Sequence, residues 1–230
     1  MNTKSIKRSL LAAVVMLCPA WGSSTSRAAY AEPAPGSVKG TFTSLERLKT
    51  KGDTSERDVV LYLREKTPTP HRPPAEAVVV RQERLTFKPH VLPVMAGTRI
   101  RYENVDAVVH NVFASESCCK VNLDMPATSN GEVSFQEVGV ASIICRLHPD
   151  MSMFVVVLDN PYFTGIELTK QGGKEGDGPA QYSGGFEIRD VPPGEYVLTF
   201  WNKKLKPMEF PVRVEEGKST AVDVLVPAAK

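Results

Sequence analysis

Short apolar, β-branched runs, each cut off by Gly, Pro or Asn, recur along most of this 230-residue chain. They fall at 78–81, 91–94, 99–103, 108–113, 132–135, 140–145 and 154–158, with no amphipathic pattern of helical length among them. Runs this short cannot bury a helical face, but each suits a strand in a layered sheet. The pattern predicts an all-β protein, built as a sandwich or barrel. Four further runs follow at 185–189, 196–201, 210–214 and 220–226, with Asp190-Val191-Pro192-Pro193-Gly194 as the turn between the first two. Two more, at 37–43 and 58–63, come early and lack an evident core of their own.

Punctuation divides these strands. Thr67-Pro68-Thr69-Pro70-His71-Arg72-Pro73-Pro74 reads as an extended, proline-rich linker, and Asp159-Asn160-Pro161 marks a second boundary. The Gly- and charge-rich stretch 171–183 reads as a mobile loop. The expected organisation is a middle domain at 75–160 inserted into a smaller β-domain made from 36–66 and 161–228. The alternative is an N-terminal hairpin packed directly on the middle domain.

Lys4, Lys7 and Arg8 precede an apolar stretch at 10–17, and Ala29-Tyr30-Ala31 offers a small-x-small cleavage site. Residues 1–31 therefore read as a secretory signal peptide; the apolar run is too short to span a bilayer. Cys18 follows Leu17, where a lipoprotein signal would place Gly or Ala, so a soluble exported product is preferred. Cleavage removes four basic residues and leaves 24 basic against 26 acidic. No basic stripe argues for nucleic acid, and no later segment reads as transmembrane. The expected location is periplasmic or otherwise exported.

Three cysteines remain after cleavage, Cys118, Cys119 and Cys145, so at least one lies outside any intramolecular disulfide. Cys145 ends the apolar run Val140-Ala141-Ser142-Ile143-Ile144. It opens Cys145-Arg146-Leu147-His148-Pro149-Asp150-Met151, a short loop able to fold His148 and Met151 back toward the thiol. His110 comes from another strand. Thiolate, two imidazoles and a thioether form the donor set of a mononuclear copper site suited to single-electron exchange. Met153 competes with Met151 for the thioether role, while His71 and His90 read as surface or satisfied core residues. Asn111, beside His110, is the candidate to fix its strand against the cysteine loop. Cys118 and Cys119 are neighbours, between which a disulfide is strained. Free thiols, an intermolecular bridge or an extra metal contact are the readings left open. A zinc site from Cys118, Cys119, Cys145 and His148 would leave His110 and Met151 unexplained.

The segments Phe87-Lys88-Pro89-His90-Val91-Leu92-Pro93-Val94, Gly97-Thr98, Asn104 and His110-Asn111-Val112-Phe113, continued by the Cys145–Met151 run, resemble the cupredoxins. The Cys-x-x-His-x-x-Met interval is similar to that of amicyanin; plastocyanin has a longer final loop. The arrangement is similar to plastocyanin-like periplasmic proteins of the methylamine-utilisation type. The resemblance implies a Greek-key β-sandwich with His110, Cys145 and His148 as equatorial copper ligands and Met151 as the weak axial one. It further implies electron exchange with redox protein partners through the edge of His148. Gly185-Phe186-Glu187-Ile188-Arg189-Asp190-Val191-Pro192-Pro193-Gly194-Glu195-Tyr196, with Gly40-Thr41-Phe42-Thr43, is similar to the carboxypeptidase regulatory-like, transthyretin-type β-sandwich. That second resemblance implies a packing module. A multi-copper oxidase or reductase would need more imidazoles than the four His present, and no hydrolytic set is legible, so no enzyme is expected. Copper delivery and a β-sandwich interaction module with a secondary metal site are the alternative functions.

Overall fold

A computed structural model describes residues 33–48, 55–173 and 180–228. The signal peptide reading and residues 174–179 of the Gly-rich loop lie outside the described residues. The strands are β1 (Gly36–Ser44), β2 (Asp58–Glu65), β3 (Val78–Glu83), β4 (Thr86–Lys88), β5 (Val91–Met95) and β6 (Arg99–Asn104). They continue with β7 (His110–Ala114), β8 (Val121–Met125), β9 (Asn130–Ser134), β10 (Gly139–Cys145), β11 (His148–Leu158) and β12 (Phe163–Glu167). The last six are β13 (Thr169–Gln171), β14 (Gln181–Val191), β15 (Gly194–Trp201), β16 (Phe210–Val214), β17 (Ser219–Ala221) and β18 (Val224–Val226). The described residues are all-β, apart from a 3-10 turn at Ser55–Arg57.

Four sheets arise. One runs β13-β14-β1-β17, with β18 also on β1; a second runs β12-β2-β15-β16. The third is β5-β11-β10-β7-β8 and the fourth β4-β3-β6-β9. The first two enclose a core that includes Phe42, Leu61, Phe200 and Val224. The other two enclose a core that includes Val80, Tyr102, Ile143 and Cys145. Strands from both sides of residues 75–160 thus share sheets: β1 pairs with β14, and β2 with β15.

A third apolar cluster joins the two sandwiches. Val60 of β2 packs there with Val156 and Leu158 of β11, flanked by Tyr62, Phe163 and Trp201. This explains two departures from alternation. Val59 and Leu61 face the first core while Val60 faces β11; Val155 and Val157 face the second core while Val156 and Leu158 face β2. Strands buried on both faces read as continuous apolar runs.

Strand boundaries moved where local pairing decided them. Val108 and Val109 are exposed and precede β7. The expected strand 220–226 divides into β17 and β18 around Val222-Asp223, whose backbone N–H and carboxylate bond to Lys39 and Thr41 of β1. The strands β4, β8, β12 and β13 had no counterpart in the apolar runs.

Candidate metal centre

β10 ends at Cys145, and β11 begins at His148 after a two-residue turn, Arg146-Leu147. Cys145 pairs with His148 and Ile144 with Ser152, which leaves Pro149, Asp150 and Met151 as a bulge without partners on β10. The expected loop is thus a tight hairpin followed by a bulge, because the Cys145–His148 pair closes the ladder early. The Arg146 guanidinium lies 5.0 Å from the centre of the Phe113 ring of β7, which fixes the turn. Pairing of Ile144 with Phe113 lays β10 beside β7, whose first residue is His110.

His110, Cys145 and His148 converge, with one donor atom from each inside a 4.8 Å group. Nδ1 of His148 stands 3.2 Å from Nδ1 of His110 and 3.4 Å from Sγ of Cys145. Metal bonds of about 2.0–2.3 Å at angles of about 100–120° place donors about 3.1–3.8 Å apart, so both distances fit one shared ion. A thiolate with two imidazoles suits copper. His110 and Cys145 are buried, at 0% and 1% exposure, and His148 is half-buried. Met151 and Met153 both lie in the surrounding core, Met151 in the bulge and Met153 opposite Ile143.

A residue absent from the sequence argument completes the arrangement. Nε2 of His110 is 2.9 Å from Oδ2 of Asp106, which turns Nδ1 toward Cys145 and His148. The Asp106 carboxylate also accepts the backbone N–H groups of Arg84 and Leu85, at 2.7 and 3.0 Å. These two form the β3–β4 turn with φ of 56° and 58°, a left-handed conformation unusual for such side chains. Burial pushes the Asp106 carboxyl up, but the Leu85 and Arg84 N–H groups and His110 outweigh it and hold it below the usual carboxylate range. Asn104 fixes the intervening loop: its Nδ2 donates to the carbonyls of Val108, Met125 and Pro126, and its Oδ1 accepts the Asp106 N–H. The only sequence signal for Asp106 was a carboxylate four residues before a histidine, and off a helix that spacing has no fixed geometry.

Other expectations changed. The Asn111 amide donates to Asn122, Leu123 and Asp124 of β8 and not to the cysteine loop. Cys118 and Cys119 are joined to each other in a disulfide, so they are neither free thiols nor an intermolecular bridge, and they lie outside the metal group. A four-ligand zinc site from Cys118, Cys119, Cys145 and His148 is therefore not assembled. As expected, His71 and His90 stay outside the metal group: His71 pairs with Glu65 at 3.2 Å, and His90 stands 3.9 Å from Asp58.

No family model matches this chain, and no curated protein matches it. Similar solved structures include a purple cupredoxin from Nitrosopumilus maritimus, 22% identical, covering 35% of this chain and 99% of its own, with a TM-score of 0.32. The reduced state of a proline-to-phenylalanine mutant of amicyanin is 23% identical over 42% of this chain and 99% of its own, with a TM-score of 0.34. A copper-containing nitrite reductase from Thermus scotoductus SA-01 is 19% identical over 41% of this chain but 28% of its own, with a TM-score of 0.35. No helix among the described residues is long and apolar enough to cross a membrane.

Proposed function

We propose that this protein is an exported, cupredoxin-type copper protein that carries single electrons between redox protein partners. The observation that carries the reading is the convergence of His110, Cys145 and His148, with donor atoms 3.2 and 3.4 Å apart at Nδ1 of His148. Those three would hold the copper, with the Met151 thioether as the fourth donor. Copper held by thiolate and imidazoles supplies reversible one-electron chemistry. The chain's part is to keep the donors where they are. Cys145 ends a strand paired on both sides, and His110 is held by Asp106, so little rearranges when charge changes.

The surface around the site favours transfer over delivery. Handing on a metal ion requires accessible donors, and His110 and Cys145 are buried. Val105, Val108, Val109 and Leu147 are exposed aliphatics on the segments carrying Asp106, His110 and His148, and Leu85 is another in the turn that Asp106 caps. Exposed aliphatics on these segments suit a transient apolar contact with a redox partner. Residues 36–66 and 161–228 form one transthyretin-type packing domain, with the cupredoxin domain 75–160 inserted after the 67–74 linker. No catalytic role is assigned.

The test is to load the full-length protein with Cu(II) and compare visible spectra of wild type and Cys145→Ser. An intense blue band lost in the variant is expected. A colourless wild type that binds copper no better than the variant would overturn the proposal.

A further inference from the structure

The turn between β7 and β8 holds a feature that the metal site does not use: Cys118 and Cys119, adjacent in sequence, form a disulfide. A cross-link stabilises a fold according to the loop it closes in the unfolded chain, and between neighbours that loop is minimal. Chain restriction therefore does not account for it. Nor does the turn depend on it. The Cys119 N–H donates to the Glu116 carbonyl at 3.0 Å, and the Glu116 carboxylate accepts the N–H groups of Ser115 and Ser142 at 3.1 and 3.0 Å. None of these three bonds uses a sulfur atom.

The two sulfurs differ in access. Cys119 is fully buried in the core, while Cys118 is half-buried at its edge. Beside it lies Gly139, where an added Cβ would stand 2.6 Å from the Cys118 Sγ. The glycine keeps open the space that the sulfur occupies. Gly139 and Cys145 are the first and last residues of β10, so about 20 Å of strand separates the disulfide from the thiol of the metal group.

We propose that Cys118–Cys119 is a second redox site, one that exchanges two electrons with dithiols and, once reduced, chelates a thiophilic cation of the Cu(I) type. The thiolate of a dithiol attacks the accessible Cys118 Sγ. The Cys118–Cys119 bond breaks, and Cys119 leaves as a thiolate that takes up a proton. The second thiol of the reductant then attacks its own sulfur in the mixed disulfide. That step closes the reductant's disulfide and frees Cys118, so two electrons and two protons reach the protein. On binding a soft cation the two thiols release their protons and ligate it as thiolates, two soft donors on neighbouring residues.

The test treats folded full-length protein with dithiothreitol, quenches in acid, unfolds it and alkylates it. Labelling at both Cys118 and Cys119 is expected only after treatment. Desalted anaerobically, the reduced protein should take one more equivalent of Cu(I) from a chromophoric chelator than untreated protein does. Cys118→Ser/Cys119→Ser should lose that equivalent alone. Cys145→Ser should keep it, so failure of this site and failure of the metal centre are told apart. Labelling of both residues without treatment, resistance to dithiothreitol in the folded state, or an unchanged Cu(I) count after reduction would each overturn the proposal.

Discussion

His110 is held from the side opposite the nitrogen that faces His148: the Asp106 carboxylate lies 2.9 Å from its Nε2. The same carboxylate caps both N–H groups of a turn whose two residues, Arg84 and Leu85, have positive φ. One side chain therefore holds a strained turn and orients the buried imidazole. Asp106→Ala should weaken Cu(II) binding about 10- to 100-fold in a competition titration, with Asp106→Asn falling between it and wild type. Equal affinities for all three proteins would mean that the contact does not position the ligand.

Met151 and Met153 are equally buried, and the bulge alone distinguishes them. With Met151 as axial ligand, Met151→Leu should keep the blue band and raise the reduction potential by at least about 59 mV, a tenfold change in the reduced-to-oxidised ratio. Met153→Leu, a volume-conserving core exchange, should leave the potential within a few tens of millivolts. Voltammetry on both variants decides between them. The reverse pattern would move the axial role to Met153.

Gly40 lies under the break between β17 and β18, where an added Cβ would come within 1.9 Å of the Val222 carbonyl oxygen. Backbone cannot move aside as a side chain can, so Gly40→Ala should cost on the order of 3 kcal/mol or more, or prevent folding. At Gly185, one residue of the facing strand, nothing lies within 4 Å and φ is not positive. Gly185→Ala should be neutral or stabilise by up to about 1 kcal/mol. Denaturant melts of the two variants give the comparison, and a similar loss in both would remove the steric account.

Period and composition made the strands legible wherever a run was apolar. They were silent on β8, whose Asn122 and Asp124 alternate with half-buried residues, and on β4, three residues beyond a turn that contains no Gly or Asn. The triple valine 155–157 showed a buried strand, but not that its second face meets β2, because one strand's pattern does not name its partner. At the site, the His110, Cys145 and His148 residue types and spacings were readable, since a strand end and a two-residue turn leave little freedom. Asp106 was not. Its role depends on the β3–β4 turn, more than twenty residues upstream, reaching its carboxylate. The Cys118–Cys119 bond was missed because strain argued against it, and chain geometry alone does not show that Gly139 leaves room.

The proline-rich stretch after β2 is tied down by one carboxylate. Glu65 accepts the Thr69 N–H and hydroxyl at 3.0 and 2.8 Å and lies 3.2 Å from His71 Nε2, with its side chain 12% exposed. Burial pushes its carboxyl up, but these partners outweigh burial and hold it below its ordinary value of 4.5. A carboxyl depressed by folding adds stability that is fully present above its unfolded pKa and is lost as pH falls through the folded one. Glu65→Gln should therefore cost about 1–2 kcal/mol at pH 7, a drop in Tm of roughly 2–8 °C for a chain of this size. As pH falls below the ordinary glutamate range, wild-type Glu65 takes up its proton and the gap between the two proteins should close. Thermal melts from neutral pH down to about pH 3 measure it. A gap of constant size across that range would show that the side chain's shape, and not its charge, holds the linker.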